Sequence, residues 1–318
     1  MIEYRPFRNS DPPKLVDVWH ASQLGRGAAA GFSSDALDCV NLAQPYFDPR
    51  GLIVAVEGGD MAGFVHAGFG CNAVESDLSF DTGVICVIMV QPRFRRRGIG
   101  RELVLRAESY LRHSGATTIL AGPSKGLDPF FYGLYGGSQP SGFLESDISA
   151  APFFEAIGYE PCARHHVFQR DIRDQKDPIN FRLSSIRRKM QLEILDHPSS
   201  PSWWWMTRLG RLDSLWFRLV PKSGGAAVAG VTVLGLDLYL PGWEERVVGL
   251  ADMELGESER KQGYGQVLLI ETVRRLRQEL VTRVETHAAD SDPDLIAVLK
   301  SSGLSQVDTG VVYRKVAD

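Results

Sequence analysis

Val84-Ile85-Cys86-Val87-Ile88-Met89-Val90-Gln91-Pro92-Arg93-Phe94-Arg95-Arg96-Arg97-Gly98-Ile99-Gly100-Arg101-Glu102-Leu103-Val104 is the stretch that decides the fold. Its first seven residues are uncharged and rich in β-branched types, which reads as a buried strand. The arginine-rich turn after them leads into Leu103, Val104, Ala107 and Leu111, spaced as the apolar face of a helix. Strand, glycine turn and helix in that order present unpaired backbone N–H groups at the positive end of a helix dipole, which is a site for an anion. Glycine at 98 and 100 allows a pyrophosphate close to the backbone, and Arg93, Arg95, Arg96, Arg97 and Arg101 add positive charge. A dinucleotide fingerprint would need a third glycine where Leu103 stands, and a P-loop would need Gly-Lys-Ser/Thr, which is absent.

The stretch occurs twice. Val247 to Leu255 reads as a second strand, followed by Arg260-Lys261-Gln262-Gly263-Tyr264-Gly265 and a helix marked by Val267, Leu268, Ile270, Val273 and Leu276. Farther on, Ser146-Asp147 through Phe153-Phe154-Glu155-Ala156-Ile157-Gly158-Tyr159 pairs without gaps with Ser291-Asp292 through Val298-Leu299-Lys300-Ser301-Ser302-Gly303-Leu304. Two blocks in one order mark an internal duplication. Each copy closes on a strand-like segment, His165 to Ile172 and Val311 to Val316. Arg170 to Pro178 is charged and poor in apolar residues, so the domains are expected at 1–173 and 178–318. A chain of 318 residues suits two such units, since one core usually serves about 100 to 200 residues.

The first copy opens with a strand at Ile2 to Phe7, a helix from Pro12 through Trp19, and a hairpin of Leu52 to Val56 with Met61 to Phe69 across Gly58-Gly59. It is also the longer copy between its two blocks. The surplus falls around Pro123 to Phe143, whose run Phe130-Phe131-Tyr132-Gly133-Leu134-Tyr135 suggests a substrate loop.

The glycine turn resembles motif A of the GNAT (Gcn5-related N-acetyltransferase) superfamily, and Phe153 to Tyr159 is similar to its later aromatic block. The resemblance implies an α+β fold of two tandem domains, each a splayed mixed sheet flanked by helices, with acetyl-CoA in the splay. It implies that Ile88, Met89 and Val90 bind the pantetheine arm, and that the pyrophosphate rests on Arg95, Arg96, Arg97, Gly98, Ile99, Gly100 and Arg101. The activity implied is direct attack of an amine on the thioester. The acceptor is a small-molecule or peptide amine that the residues leave unidentified.

The second copy departs further from the pattern. It has Leu255-Gly256-Glu257 where the first has Val90-Gln91-Pro92, and Glu254, Glu257 and Glu259 lie near the expected phosphates, so the first copy is expected to bind cofactor. The tyrosine that often serves as general acid in the family is replaced by Phe154 and Leu299. Tyr132 or Tyr135 could supply a phenol, or pack an ordered loop; Asp81 could act as base, or shape a turn. Asp252 and Glu254 share a strand face where each could perturb the other. Trp203-Trp204-Trp205 with Trp216 could line a pocket or pack between the halves. A non-catalytic acyl-CoA-binding protein is the competing expectation.

With 44% hydrophobic residues, 23% charged residues and a net charge of -4, the chain offers no global attraction to nucleic acid. Cys39, Cys71, Cys86 and Cys162 form no metal-ligand pattern and read as reduced packing residues, so no metal is expected. No uncharged run reaches the ~20 apolar residues of a membrane span, and charges interrupt the first residues. A cytoplasmic location without a membrane partner is the expectation that follows.

Overall fold

The computed structural model describes residues 1–173, 176–178 and 180–316. The first half runs β1 (Glu3–Pro6), α1 (Pro12–Ala21), α2 (Ser34–Leu37), β2 (Leu52–Glu57), β3 (Asp60–Cys71), β4 (Leu78–Val90), α3 (Ile99–His113), β5 (Thr118–Ala121), β6 (Phe143–Leu144), α4 (Ala150–Ala156) and β7 (Tyr159–Asp171). The second runs α5 (Phe181–Lys189), β8 (Met190–Leu195), α6 (Trp203–Arg208), β9 (Ser214–Pro221), β10 (Ala229–Gly235), α7 (Leu240–Trp243), β11 (Val247–Leu255), α8 (Tyr264–Gln278), β12 (Arg283–Ala289), α9 (Pro293–Ser301) and β13 (Ser305–Lys315). The boundary expected after residue 173 adjoins positions 174 and 175, which lie outside the described residues.

The duplication is visible in the backbone. Both glycine turns feed helices of 15 residues, α3 and α8. Gly98 and Gly263 cap them with φ of 79° and 94°, and two residues earlier Arg96 and Lys261 also sit at positive φ, 62° and 60°. Gly158 and Gly303 follow the later helices with φ of 81° and 86°. A left-handed backbone strains most residues with a side chain, so glycine recurs where the chain must turn.

The two halves share one mixed sheet, in the order β1-β2-β3-β4-β5-β13-β7-β12-β11-β10-β9-β8. The last strand of each half has crossed to the other. β13 pairs with β5 through Tyr313↔Ala121, and β7 pairs with β12 through Glu285↔Gln169, while β7 and β13 pair with each other. β4 and β5 run parallel, as do β11 and β12, and the pairs between them are antiparallel. The two glycine turns therefore leave the sheet at opposite ends.

Two cores result, and neither belongs to one half. The larger one joins Trp19, Phe64 and Leu103 to Leu234, Tyr239, Val311 and Tyr313. The smaller one, under α8, includes Phe168 and Ile172 of the first half. The aromatic loop belongs to the larger core. Phe130, Phe131, Tyr132, Leu134 and Tyr135 are all buried, and Gly137 and Ser138 press on β12 and β11 of the second half. This loop, expected as a substrate loop, packs the halves together along its aromatic run. The tryptophans take the packing role as well: Trp204 is fully buried, its indole N–H donates to Asp128 at 3.2 Å, and Asp128 pairs with Arg208 at 2.5 Å. The four cysteines are free thiols, and among the described residues no helix is long and apolar enough to cross a membrane.

Candidate functional site

The sheet splays along the second part of β4. β4 pairs with β5 from Thr82 to Ile85, while its remaining residues to Val90 keep only β3 as neighbour. Into this gap opens a cavity of about 550 Å³. Ile88, Met89 and Val90 line one side, and Arg95, Arg96, Gly98, Ile99, Gly100 and Arg101 line the end at the turn. Phe143, Asp147, Ser149 and α4 form the facing wall, and Ser22, Gln23 and Leu24 complete the rim.

The turn is prepared for an anion. After the Arg95 N–H, bonded to the Pro92 carbonyl at 3.2 Å, the next amide to reach a backbone carbonyl is Glu102, on Gly98 at 3.1 Å. Among the described residues the N–H groups of 96 to 101 find no backbone acceptors, as expected at a helix start. A side chain at Gly98 would meet nothing within 4 Å, so the space is open to a ligand. At Gly100 the space is already filled: a Cβ there would meet the Phe153 ring at 3.0 Å.

The arginines divide by role. Arg97 pairs with Glu57 at 2.7 Å and does not line the cavity, and Arg93 pairs with Asp60 at 3.2 Å. Arg95 ties the turn to the rim, donating to the Val90 carbonyl at 2.9 Å and the Ser22 carbonyl at 2.7 Å. Arg96 and Arg101 line the cavity, are exposed, and form no ion pair among the described residues. They remain available to a phosphate.

The second turn has the same backbone and different surroundings. α5 lies over it: a side chain at Gly263 would meet Ile186 at 3.3 Å and Leu183 at 3.7 Å, and the Arg182 guanidinium donates to the Lys261 carbonyl at 3.0 Å. Lys261 itself pairs with Asp294 at 3.2 Å. Asp252 and Glu254 do not form a regular pair on one face, because Asp252 takes a left-handed backbone at a bulge in β11 and pairs with Lys125 at 3.2 Å. Burial raises the Glu254 carboxyl, and the Asp252 charge adds to the rise.

The three acid or base candidates lie apart from the cavity. Tyr132 is 2% exposed, its hydroxyl has no partner among the described residues, and its ring sits 5.2 Å from the Arg208 guanidinium. Tyr135 is buried, and its oxygen accepts from the Leu144 N–H at 3.3 Å. Burial pushes both phenols far up, so both hold their protons. Asp81 is exposed near the start of β4, its carbonyl taking the Thr117 N–H at 3.0 Å. Asp147, which the sequence offered only as part of a repeated block, is the titratable carboxyl that the cavity does contain. Its signal was the pairing with Asp292; its chemistry depends on where the loop before α4 turns.

Known proteins resemble this chain in sequence and in fold. Residues 23–128 match the acetyltransferase (GNAT) family. A mycothiol acetyltransferase of Propionibacterium freudenreichii subsp. shermanii is 32% identical over 114 residues, which is 36% of this chain and about a third, 35%, of that protein. Among solved structures, a tandem GNAT protein from the clavulanic acid biosynthesis pathway superposes with a TM-score of 0.68 at 19% identity, covering all of both chains. A GCN5-related N-acetyltransferase from Sphaerobacter thermophilus gives 0.62 at 16% identity over 99% of this chain and 95% of its own.

Proposed function

We propose that this chain, whose residues 23–128 match the acetyltransferase (GNAT) family and which shares its fold with a tandem GNAT protein, is itself such an acetyltransferase, and that its first half binds acetyl-CoA and transfers the acetyl group to an amine. The cavity between β4, the glycine turn and α4 carries this reading. The N–H groups of residues 96 to 101, with Arg96 and Arg101, would take the pyrophosphate, and the unpaired edge of β4 at Ile88 to Val90 would take the pantetheine amides. Bound there, acetyl-CoA supplies a thioester that an amine can attack directly. The second half is the weaker binder in this reading, since α5 covers its turn and Glu254, Glu257 and Glu259 stand nearby. The acceptor is a small-molecule or peptide amine, and we place the protein in the cytoplasm.

Calorimetric titration with acetyl-CoA tests this. Wild type is expected to bind one equivalent; Gly98→Glu sets a carboxylate against the phosphates at a left-handed position and should weaken binding about a hundredfold or more. Gly263→Glu should leave affinity within about threefold, given the distance between the two turns. Binding lost only with Gly263→Glu would reverse the assignment of the halves, and no binding by folded wild type would sink it.

A second reading, an acyl-CoA-binding protein without transfer, is favoured by Phe154 in place of the tyrosine and by the burial of Tyr132 and Tyr135. Acetyl-CoA bound tightly, with no release of CoA across a broad amine panel, would favour it.

A further inference from the structure

Asp147 differs from its repeat partner in what its carboxylate does. Asp292 caps α9, accepting the Leu295 N–H at 3.0 Å. Asp147 leaves the start of α4 to Ser149 and faces the cavity, accepting only the Ser149 N–H at 3.1 Å. Among the described residues that line the cavity it is the single carboxylate, and no histidine, cysteine or tyrosine lines it. It forms no ion pair among the described residues; Arg95, whose charge acts on it, has its guanidinium on the Val90 and Ser22 carbonyls. Asp147 is thus a half-buried carboxylate held in no ion pair among the described residues, the one anionic group on a wall that otherwise carries Arg95, Arg96, Arg101, neutral polar Ser22, Gln23 and Ser149, and apolar side chains, and an unpaired carboxylate of this kind can take a ligand's cation.

We propose that Asp147 receives the acceptor: its carboxylate holds the ammonium form of a cationic primary amine and takes its proton. The inference rests on the acyl-CoA reading of the same cavity. In the step it serves, a proton passes from the ammonium to Asp147 and leaves a lone pair on nitrogen. That pair attacks the thioester carbonyl carbon; the C–N bond forms, the C–S bond breaks, and the sulfur departs with the bonding pair. The second proton on the new amide nitrogen goes to the sulfur, giving the amide and the CoA thiol, and Asp147 returns its proton to water. Burial lifts the Asp147 carboxyl above its usual range, with the Ser149 N–H and Arg95 holding part of the rise back. That makes it a stronger base than a solvated carboxylate.

Two CoA thioethers of equal size test the assignment without a known acceptor: S-(2-aminoethyl)-CoA, which carries an ammonium beyond the sulfur, and S-propyl-CoA, which does not. In wild type the ammonium analogue should bind about tenfold more tightly, and the preference should vanish in Asp147→Asn. Asp147→Ser, which can still accept the Ser149 N–H, should read the same way should Asn disturb the turn. A purely structural Asp147 would weaken both analogues together and leave their ratio unchanged. That result, or equal affinities in wild type, would overturn the proposal. Failure of both analogues to bind folded wild type would instead remove the acyl-CoA reading on which it stands.

Discussion

Single side chains show how far charge alone identifies function. Five arginines surround the glycine turn in the sequence, yet Arg97 and Arg93 are held by Glu57 and Asp60, and Arg95 is a tether. Arg96→Ala and Arg101→Ala should each weaken acetyl-CoA binding by about fivefold, roughly 1 kcal/mol for a solvent-screened phosphate contact, whereas Arg97→Ala should cost less. The difference should shrink in high salt, as calorimetry at two ionic strengths would reveal. Such a division is not legible in sequence, because Glu57 and Asp60 reach the turn from the β2–β3 hairpin. His66 makes a separate prediction. It is fully buried, stacks on Phe130 at 3.8 Å, and neither ring nitrogen has a partner among the described residues, so burial lowers its pKa to about 3. A folded value below the ordinary 6.5 means the folded state resists protonation. Its contribution is whole above pH 6.5 and is lost as pH falls from there toward 3. Wild type should lose stability relative to His66→Phe over that window by about 1.4 kcal/mol per pH unit at most, measured by urea unfolding from pH 7 to 4.5.

At the scale of elements, what the sequence made legible is local and what it hid is not. The strand, turn and helix at Val84 to Leu111 and again at Val247 to Leu276 follow from apolar spacing and paired glycines, and both occur, with β11 spanning Val247–Leu255. β4 begins earlier than its apolar run, at Leu78, because β3 pairs with it through Cys71↔Leu78 and Phe69↔Gly83 across an irregular register, a partnership that the mixed segment Leu78 to Gly83 does not signal by itself. The loop from Pro123 to Phe143 was readable as aromatic and glycine-rich, but its neighbours come from both halves, Trp19 and His66 from the first and Arg208, Tyr239 and Glu285 from the second. Gly137 shows what its glycines are for: φ is 82°, and a Cβ would lie 1.7 Å from Glu285, which accepts the Ser138 N–H at 3.1 Å. Gly137→Ala should therefore cost about 2 to 4 kcal/mol, through both strain and displacement of a buried carboxylate that also meets Arg26 at 3.3 Å. Thermal unfolding would check this, with exposed Gly58→Ala as a milder comparison that strains the backbone but meets nothing.

For the whole molecule, the exchange of β7 and β13 changes what the two halves can do separately. Sequence order alone fits two self-contained domains, since the pairing of a last strand is decided by distant partners that no periodicity reports. In the structure every residue lining the cavity lies between Ser22 and Ile157, yet the wall is braced by the last strand of the chain. Tyr313 on β13 stacks on Phe154 at 5.1 Å, Phe154 packs on Phe143 at 4.7 Å, and both phenylalanines line the cavity. β5, which forms the closed part of the splay, has β13 as its other neighbour. The halves should then unfold in one transition, because separating them takes β13 from β5 and β7 from β12 in the shared sheet and divides both cores. Tyr313→Ala, a truncation of the kind that costs about 3 to 5 kcal/mol in a core, should lower the unfolding temperature and also loosen acetyl-CoA binding in the first half. Two resolved transitions in calorimetry, or a Tyr313→Ala variant that melts lower while binding acetyl-CoA as wild type does, would mean the second half merely accompanies the site. A joint loss would make its last strand part of the cavity's support, and would explain how a half with a covered turn still serves the chain.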